Sequence, residues 1–237
     1  MDLRNWINSK VPSRWIKRIV KSRDPQVRLP RIPWNASPSV KKLRKAWELA
    51  QLSNANSPGQ CVSYYSLEFE GYEFPGERPW STRWELLQSV TDFQGKRVLE
   101  IGCNLALLSC CLLKDSGASD AIAVDYDSTI LKAASLAAEA HNVTPVFVQQ
   151  DLNSKEDWES RLNAYNPDLV VALSILNWID DKERFVAYLG QFDEVIFEGH
   201  DSFEKEGERF KKVGFEVIRL VGMSERARPI LYCSRIP

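Results

Sequence analysis

The chain has 237 residues, of which 44% are hydrophobic, which is enough for one large α/β domain and an appendage. Its five cysteines form no Cys-x-x-Cys pair, which argues against a zinc site or a disulfide framework and favours a reducing cytosol. The net charge of −1 conceals a division, because residues 1–48 hold 13 Lys/Arg and 3 Asp/Glu, whereas the remainder is acidic.

Residues 1–48 form a basic arm that carries tryptophans. Trp6 and Trp15 lie among isoleucines and Lys/Arg at roughly helical spacing, and Pro12 divides the pattern into two short pieces. The arm could lie on an anionic membrane surface, guide a phosphate-bearing substrate, or pack on the acidic domain. No apolar run approaches the length of a membrane span, so membrane association would be peripheral to a cytoplasmic protein.

A helix is predicted over 39–57, where apolar residues recur at helical spacing until Ser57-Pro58-Gly59. Aromatic residues in 61–75 indicate short strands or irregular structure. We therefore divide the chain into residues 1–60, the basic arm and its helix, and residues 61–237, the main domain.

The segment from Phe74 to Trp80 contains two prolines and a glycine and is predicted to be a loop. Ser81 or Thr82 can cap the next helix, and Thr82 and Glu85 have the spacing of a capping box. That helix is expected to end near Gly95.

From Arg97 onward, short apolar runs alternate with helical patterns, which indicates a parallel sheet with helices on both faces. Only a short connector, Gly222 to Arg226, separates the last two predicted strands. Strands are predicted at 97–101, 120–125, 145–149, 168–173, 193–198, 215–221 and 229–235, and helices at 105–115, 128–140, 154–164, 181–189 and 203–213.

The stretch from Val98 to Ala106 is predicted to be a buried strand, a tight turn and a helix start. Gly102 has no Cβ, so a ligand can approach the backbone closely at this turn. The helix that follows offers unpaired N–H groups at its N-terminus. An ordinary strand–turn–helix without a ligand is the alternative.

This stretch resembles the first motif of class I S-adenosylmethionine-dependent methyltransferases, acidic-x-Gly-x-Gly-x-Gly. Glu100 takes the acidic position, and Gly102, Asn104 and Ala106 take the three glycine positions. Only the first glycine is kept, although Asn tolerates left-handed backbone and Ala is the smallest substitute with a Cβ. The resemblance implies a Rossmann-like α/β fold with a mostly parallel seven-stranded sheet and an antiparallel last strand, here with a basic N-terminal extension.

The same resemblance implies where S-adenosylmethionine binds. Asp125, after the second strand, would hold the ribose hydroxyls, while Asp127, two residues on, could instead cap the next helix. Asp151 would hold the adenine amino group beside Leu152, or else cap the following helix. Ser174, after the fourth strand, would line the cofactor or the acceptor. Glu100, Gly102 and Asn104 complete the predicted cofactor residues in the turn.

Three charged side chains complete the predicted site. Arg78, favoured over Arg83, would pair with the methionine carboxylate of the cofactor. His200 and Glu198, at the end of the fifth strand, are the candidate general bases, although His200 could equally cap a helix or lie on the surface. No compact set of magnesium ligands is apparent, so no metal is expected.

A looser resemblance, to bacterial glycan-modifying methyltransferases, rests on Pro75 to Trp80 and on Arg83-Trp84-Glu85. It implies O-methylation of a glycan or small molecule. Metabolites, nucleotide-linked sugars, lipid-linked glycans and tRNA all remain open as acceptors. The alternative function is a non-catalytic protein of the same fold that binds cofactor or a partner enzyme.

Overall fold

The computed structural model describes residues 29–53 and 63–235. Three predicted features lie outside the described residues: the segment with Trp6 and Trp15, the helix end at Ser57-Pro58-Gly59, and the beginning of the strand region 61–75. The helices are α1 (Pro38–Ala50), α2 (Trp80–Leu87), α3 (Leu107–Asp115), α4 (Ser128–His141), α5 (Trp158–Asn163), α6 (Lys182–Leu189) and α7 (Phe203–Lys212). The strands are β1 (Ser63–Phe69), β2 (Tyr72–Phe74), β3 (Gly76–Pro79), β4 (Arg97–Ile101), β5 (Asp120–Asp125), β6 (Val146–Gln149), β7 (Leu169–Leu173), β8 (Glu194–Glu198), β9 (Val217–Met223) and β10 (Pro229–Ser234).

Seven strands form the main sheet in the order β6-β5-β4-β7-β8-β10-β9. β10 runs antiparallel to both of its neighbours, and the pairs from β6 to β8 are parallel. This confirms the predicted Rossmann-like sheet with an antiparallel last strand. Alternate residues of the strands enter two separate hydrophobic clusters: Val98 packs with α1 to α4, and Leu99 packs with α5 to α7. Helices therefore cover both faces, and among the described residues none is long and apolar enough to span a membrane.

A smaller sheet, in the order β2-β1-β3, precedes the main one. The prediction of a loop from Phe74 to Trp80 is wrong, because β3 pairs in parallel with β1. The backbone hydrogen bonds of β3 come from this tertiary contact, which a local pattern does not indicate. The predicted capping box is also wrong: α2 begins at Trp80, with Pro79 at its N-cap, so Thr82 lies inside the helix. α2 ends at Leu87, well before Gly95.

Helix α1 shares the core of the main domain. Its Trp47 is fully buried, lies with its ring centroid 5.2 Å from that of Phe74, and donates to the carbonyl oxygen of Pro75 at 2.9 Å. On its other side, Lys42 forms an ion pair with Glu139 of α4 at 2.9 Å. These contacts place the helix and the small sheet against the same side of the main sheet.

A buried ion cluster joins the small sheet to the main sheet. Glu198 at the end of β8 lies 2.9 Å from Nη2 of Arg78 in β3 and 2.7 Å from Nη1 of Arg83 in α2, and all three side chains have at most 1% exposure. Arg78 also pairs with Glu225 in the β9–β10 turn and with the hydroxyl of Tyr64. Burial alone would raise the pKa of Glu198, but Arg83 and Arg78 outweigh it and lower the pKa to about 2.

We expect Glu198→Gln to lower the free energy of unfolding by about 3 kcal/mol, because two buried guanidinium groups lose their shared counter-charge. Glu48→Gln is the control, since Glu48 forms an exposed ion pair with Arg44 in one helix and should contribute less than about 0.5 kcal/mol. Because the folded-state pKa lies below the ordinary 4.5, the ionised Glu198 stabilises the wild type above pH 4.5, and this stability is lost as the pH falls toward 2. Denaturant unfolding at pH 7 and pH 3 measures both effects. Equal losses in the two variants would contradict the structural importance of the cluster.

The turn after β4 adopts left-handed backbone at all three positions that the motif assigns to glycine. The φ angles are +77° at Gly102, +49° at Asn104 and +51° at Ala106. The N–H groups of Gly102 and Cys103 both donate to the carbonyl oxygen of Val124 at 2.9 Å, which fixes the turn against β5. A Cβ on Gly102 would lie 2.9 Å from Cδ1 of Ile175. The turn therefore keeps the conformation that glycines favour while holding only one glycine.

The left-handed backbone at Ala106 predicts how replacing this residue with glycine changes the free energy of unfolding. Left-handed backbone costs a residue with a Cβ about 1–2 kcal/mol, so Ala106→Gly should leave the free energy of unfolding unchanged or raise it by up to about 1 kcal/mol. Ala134→Gly is the matched control, because Ala134 is equally buried in the same cluster but lies inside α4, where glycine costs about 1 kcal/mol. Thermal or denaturant unfolding distinguishes the two variants. Equal losses would show that packing of the Ala106 methyl group outweighs its backbone strain.

Candidate functional site

A cavity of about 520 Å³ opens at the carboxyl ends of β4, β5, β6 and β7. Open α/β sheets bind ligands at this edge, where the strand order reverses, and the volume suits a small ligand. The cavity lies between the turns that follow the strands, and the β9–β10 turn also borders it. Seven of the predicted site residues line it: Gly102, Asn104, Asp125, Asp151, Leu152, Ser174 and His200.

Asp125 ends β5 and is held by two backbone N–H groups. One carboxylate oxygen accepts from Asn104 and the other from Asp127, both at 3.1 Å, and each oxygen can accept a further hydrogen bond. Burial raises the pKa of Asp125 to about 6, although these hydrogen bonds oppose the rise. Asp127 is the N-cap of α4, accepting from Thr129 at 2.7 Å, and its other oxygen accepts from Ser53 at 2.8 Å. Of the two aspartates, only Asp125 lines the cavity.

Asp151 and Leu152 follow β6 at the next turn. Asp151 is exposed and accepts from the backbone of Asn153 at 2.9 Å, while Leu152 is buried against the cavity. The alternative that Asp151 caps the next helix is wrong, because Asp157 caps α5 by accepting from Ser160. Asp151 thus keeps acceptor capacity on the cavity wall.

Glu100 lies beneath the turn and does not line the cavity. Its carboxylate accepts from the backbone N–H of Ser109 at 3.1 Å and from the hydroxyl at 2.6 Å, which ties β4 to the first turns of α3. Burial raises the pKa of Glu100 to about 7, with the bonds from Ser109 opposing the rise. These contacts favour a role for Glu100 in supporting the turn over a direct hydrogen bond to a cofactor.

Arg78 and Glu198 do not line the cavity either, and we correct both assignments. The Arg78 guanidinium is already paired with Glu198 and Glu225, so it is not available to a cofactor carboxylate. A carboxylate between two guanidinium groups is a weak proton acceptor, so Glu198 is unsuited to be a general base. Both residues hold the wall of the site in place.

His200 follows β8 and is half-buried at the cavity. Its backbone N–H donates to Glu206 at 2.9 Å, while Nδ1 of the ring is buried and has no hydrogen-bond partner among the described residues. Burial and the neighbouring Arg228 lower the pKa of His200, so the imidazole is neutral at pH 7 and can accept a proton. Ser202, and not His200, caps α7.

Ser174 follows β7 with a φ of +57°. Its hydroxyl oxygen accepts from Nη1 of Arg78 at 3.1 Å and from Nη1 of Arg228 at 3.0 Å. Trp178, 49% exposed, lies at the opening of the cavity. Ser174 therefore connects the end of β7 with Arg78 of the small sheet and with Arg228 of the β9–β10 turn.

Two cationic residues that line the cavity, Arg226 and Arg228, were not among the predicted site residues. They lie in the β9–β10 turn, where the sequence pattern predicts only a short connection between two strands. β9 runs in the same direction as β8, so its carboxyl end lies at the edge where the cavity opens. One feature of the sequence could have identified these arginines. A last strand that runs antiparallel to its neighbours requires the β9–β10 turn to lie at the carboxyl edge of the sheet.

No model of a protein family matches the chain, and no curated protein matches it significantly. Among solved structures, EvdMO1 is 15% identical with a TM-score of 0.59 over 85% of this chain, which spans about half (49%) of the EvdMO1 chain. A SAM-dependent methyltransferase from Aquifex aeolicus is 12% identical with a TM-score of 0.51, over 64% of this chain and 88% of its own. A proposed O-methyltransferase from Nostoc punctiforme is 14% identical with a TM-score of 0.50, over 65% and 56%. At these identities the comparisons establish the fold alone: the chain has a Rossmann-like α/β fold that these three structures share.

Proposed function

We propose that this protein is an S-adenosylmethionine-dependent methyltransferase that methylates an oxygen of a glycan or small-molecule acceptor. The observation that carries the proposal is the juxtaposition of Asp125, Asp151 and the Gly102 turn around one cavity at the carboxyl edge of the sheet. Two solved structures of the same fold that are described as methyltransferases support it.

The residues around the cavity suit the parts of this cofactor, which supplies an electrophilic methyl group on a positively charged sulfur. Asp125 would accept from the ribose hydroxyls with its remaining lone pairs, and Asp151 would accept from the adenine amino group beside Leu152. Oδ1 of Asn104 is buried and has no hydrogen-bond partner among the described residues, so it would accept from the amino group of the methionine part. Such a donor would explain the buried, unpartnered acceptor at the second glycine position of the motif.

The acceptor would lie between Ser174, Trp178 and His200. Neutral His200 would take the proton that the acceptor hydroxyl loses as its oxygen bonds to the methyl group. The buried cluster around Arg78 and Glu198 would hold this wall rigid, because small displacements of a positioned nucleophile are costly in rate. Trp178 offers a half-exposed ring on which a sugar can stack.

The non-catalytic alternative was motivated by the loss of glycine at Asn104 and Ala106. Both residues nevertheless take the left-handed backbone of the motif, so their side chains have not changed the turn. This weakens the motive for that alternative, and turnover remains the test that separates the two functions.

Calorimetry with S-adenosylhomocysteine tests the cofactor site. Asp125→Asn should weaken binding at pH 7.5 by about 1–3 kcal/mol, because hydrogen bonds to a charged acceptor are lost. The wild type should bind about tenfold more weakly at pH 5 than at pH 7.5, since protonation of a group with a pKa of about 6 removes the acceptor. Asp125→Asn should show a smaller dependence on pH.

Asp120→Asn is the matched control, because Asp120 begins the same strand at the opposite edge of the sheet. It should keep the wild-type affinity and pH dependence, and thermal unfolding should show that both variants are folded. Unchanged affinity in Asp125→Asn would contradict the assignment of Asp125. Failure of the folded wild type to bind either S-adenosylmethionine or S-adenosylhomocysteine would overturn the proposed function.

A further inference from the structure

We propose that the far end of the cavity, bounded by Ser174, His200 and the β9–β10 turn, binds an oxyanion of the acceptor through Arg228. The acceptor would then be an acidic molecule that carries a carboxylate or a phosphate. This inference rests on the proposed function, since it names the acceptor class of the same site.

The charges at this end do not balance. Arg226 and Arg228 both line the cavity, and Arg226 is paired with Glu77. Arg228 has no carboxylate within ion-pair distance among the described residues, and its contact is the hydrogen bond from Nη1 to Ser174 at 3.0 Å. The carboxylate that acts electrostatically on Arg228, Glu198, is already held by Arg78 and Arg83. One positive charge is therefore left facing the cavity.

The guanidinium of Arg228 suits an oxyanion in both energy and geometry. It carries five N–H donors in a planar fork, of which Ser174 uses one, and the residue is partly buried, so its charge is incompletely hydrated. A carboxylate or phosphate can accept two parallel hydrogen bonds from such a fork. Tyr64 and Arg226 lie on the same cavity wall and offer further donors.

The cofactor carboxylate is the competing occupant of Arg228. Arg228 directly precedes β10, and β10 is three strands from β4 in the order β4-β7-β8-β10. At about 4.8 Å per strand, β10 lies about 14 Å from the strand that leads into the Gly102 turn. This separation places the backbone of Arg228 on the side of His200. Its guanidinium contacts Ser174, which the proposed function puts beside the acceptor, so we assign Arg228 to the acceptor. An acceptor held there would present a neighbouring hydroxyl group to the imidazole.

The chain has two histidines, which serve as a reporter and an internal control. His200 lines the cavity, whereas His141 ends α4 and does not line it. Protein saturated with S-adenosylhomocysteine would be titrated with glucose, glucose 6-phosphate and glucuronate, with the two imidazole proton signals followed by NMR. The three probes share a sugar ring and differ in carrying no charge, a phosphate or a carboxylate. We expect a saturable shift of the His200 signal with at least one anion, none with glucose, and none of the His141 signal. The tighter of the two anions identifies the oxyanion.

Arg228→Gln should weaken anion binding about tenfold or more, because charge-assisted hydrogen bonds are lost. Its affinity for S-adenosylhomocysteine should stay within about twofold of the wild type, as expected for a residue that does not contact the cofactor. Arg97→Gln, which removes a partly exposed arginine at the opposite edge of the sheet, is the matched control and should change neither affinity. Arg228→Lys should restore part of the anion binding, since a single charge remains without the fork.

Three results would overturn the inference: no response to either anion at millimolar concentration, an equal response to glucose, or unchanged anion binding in Arg228→Gln. If Arg228→Gln instead loses affinity for S-adenosylhomocysteine but not for 5′-methylthioadenosine, which lacks the amino-acid part, Arg228 holds the cofactor carboxylate. The proposed function fails separately, when the wild type does not bind S-adenosylhomocysteine, and anion binding without cofactor would then show an oxyanion site of another activity.

Discussion

The buried pairing of Glu198 with Arg78 and Arg83 is the constraint on which the site depends. The three residues come from β8, β3 and α2, so the cluster fastens the small sheet and its helix onto the carboxyl edge of the main sheet. Such a cluster adds little net stability compared with apolar packing, but the loss of one member leaves uncompensated charge in the core. It therefore fixes one arrangement of the cavity wall rather than contributing to the reaction.

The cavity has opposite electrostatic character at its two ends. Asp125 and Asp151 supply hydrogen-bond acceptors at the end formed by β5 and β6, whereas Arg226 and Arg228 supply donors at the end formed by β8 and β10. A neutral imidazole, that of His200, lies on the cationic side. This division matches a cofactor with hydroxyl and amino donors at one end and an acidic acceptor at the other.

The turn after β4 keeps the left-handed backbone of the motif although it holds only one of the three glycines. Asn104 and Ala106 take left-handed backbone because hydrogen bonds to Val124 and Asp125 and the buried position of the turn hold them there. Asn104 also gives the cavity a side-chain acceptor that a glycine could not supply. The departure from the motif thus adds a polar group while the fold of the turn is preserved.

The order of strands and helices from Arg97 onward could be predicted from the sequence, since each apolar run and each helical pattern is local and strongly periodic. It also placed Gly102, Asp125 and His200 at one edge, because carboxyl ends of parallel strands meet there. Contacts between separate parts of the chain were needed to show that β3 replaces a predicted loop, that Arg78 and Glu198 are partners of one another, and that Arg228 reaches the cavity. Those contacts join residues 13 to 120 positions apart, and whether an arginine is paired or free depends on which carboxylates the fold brings beside it.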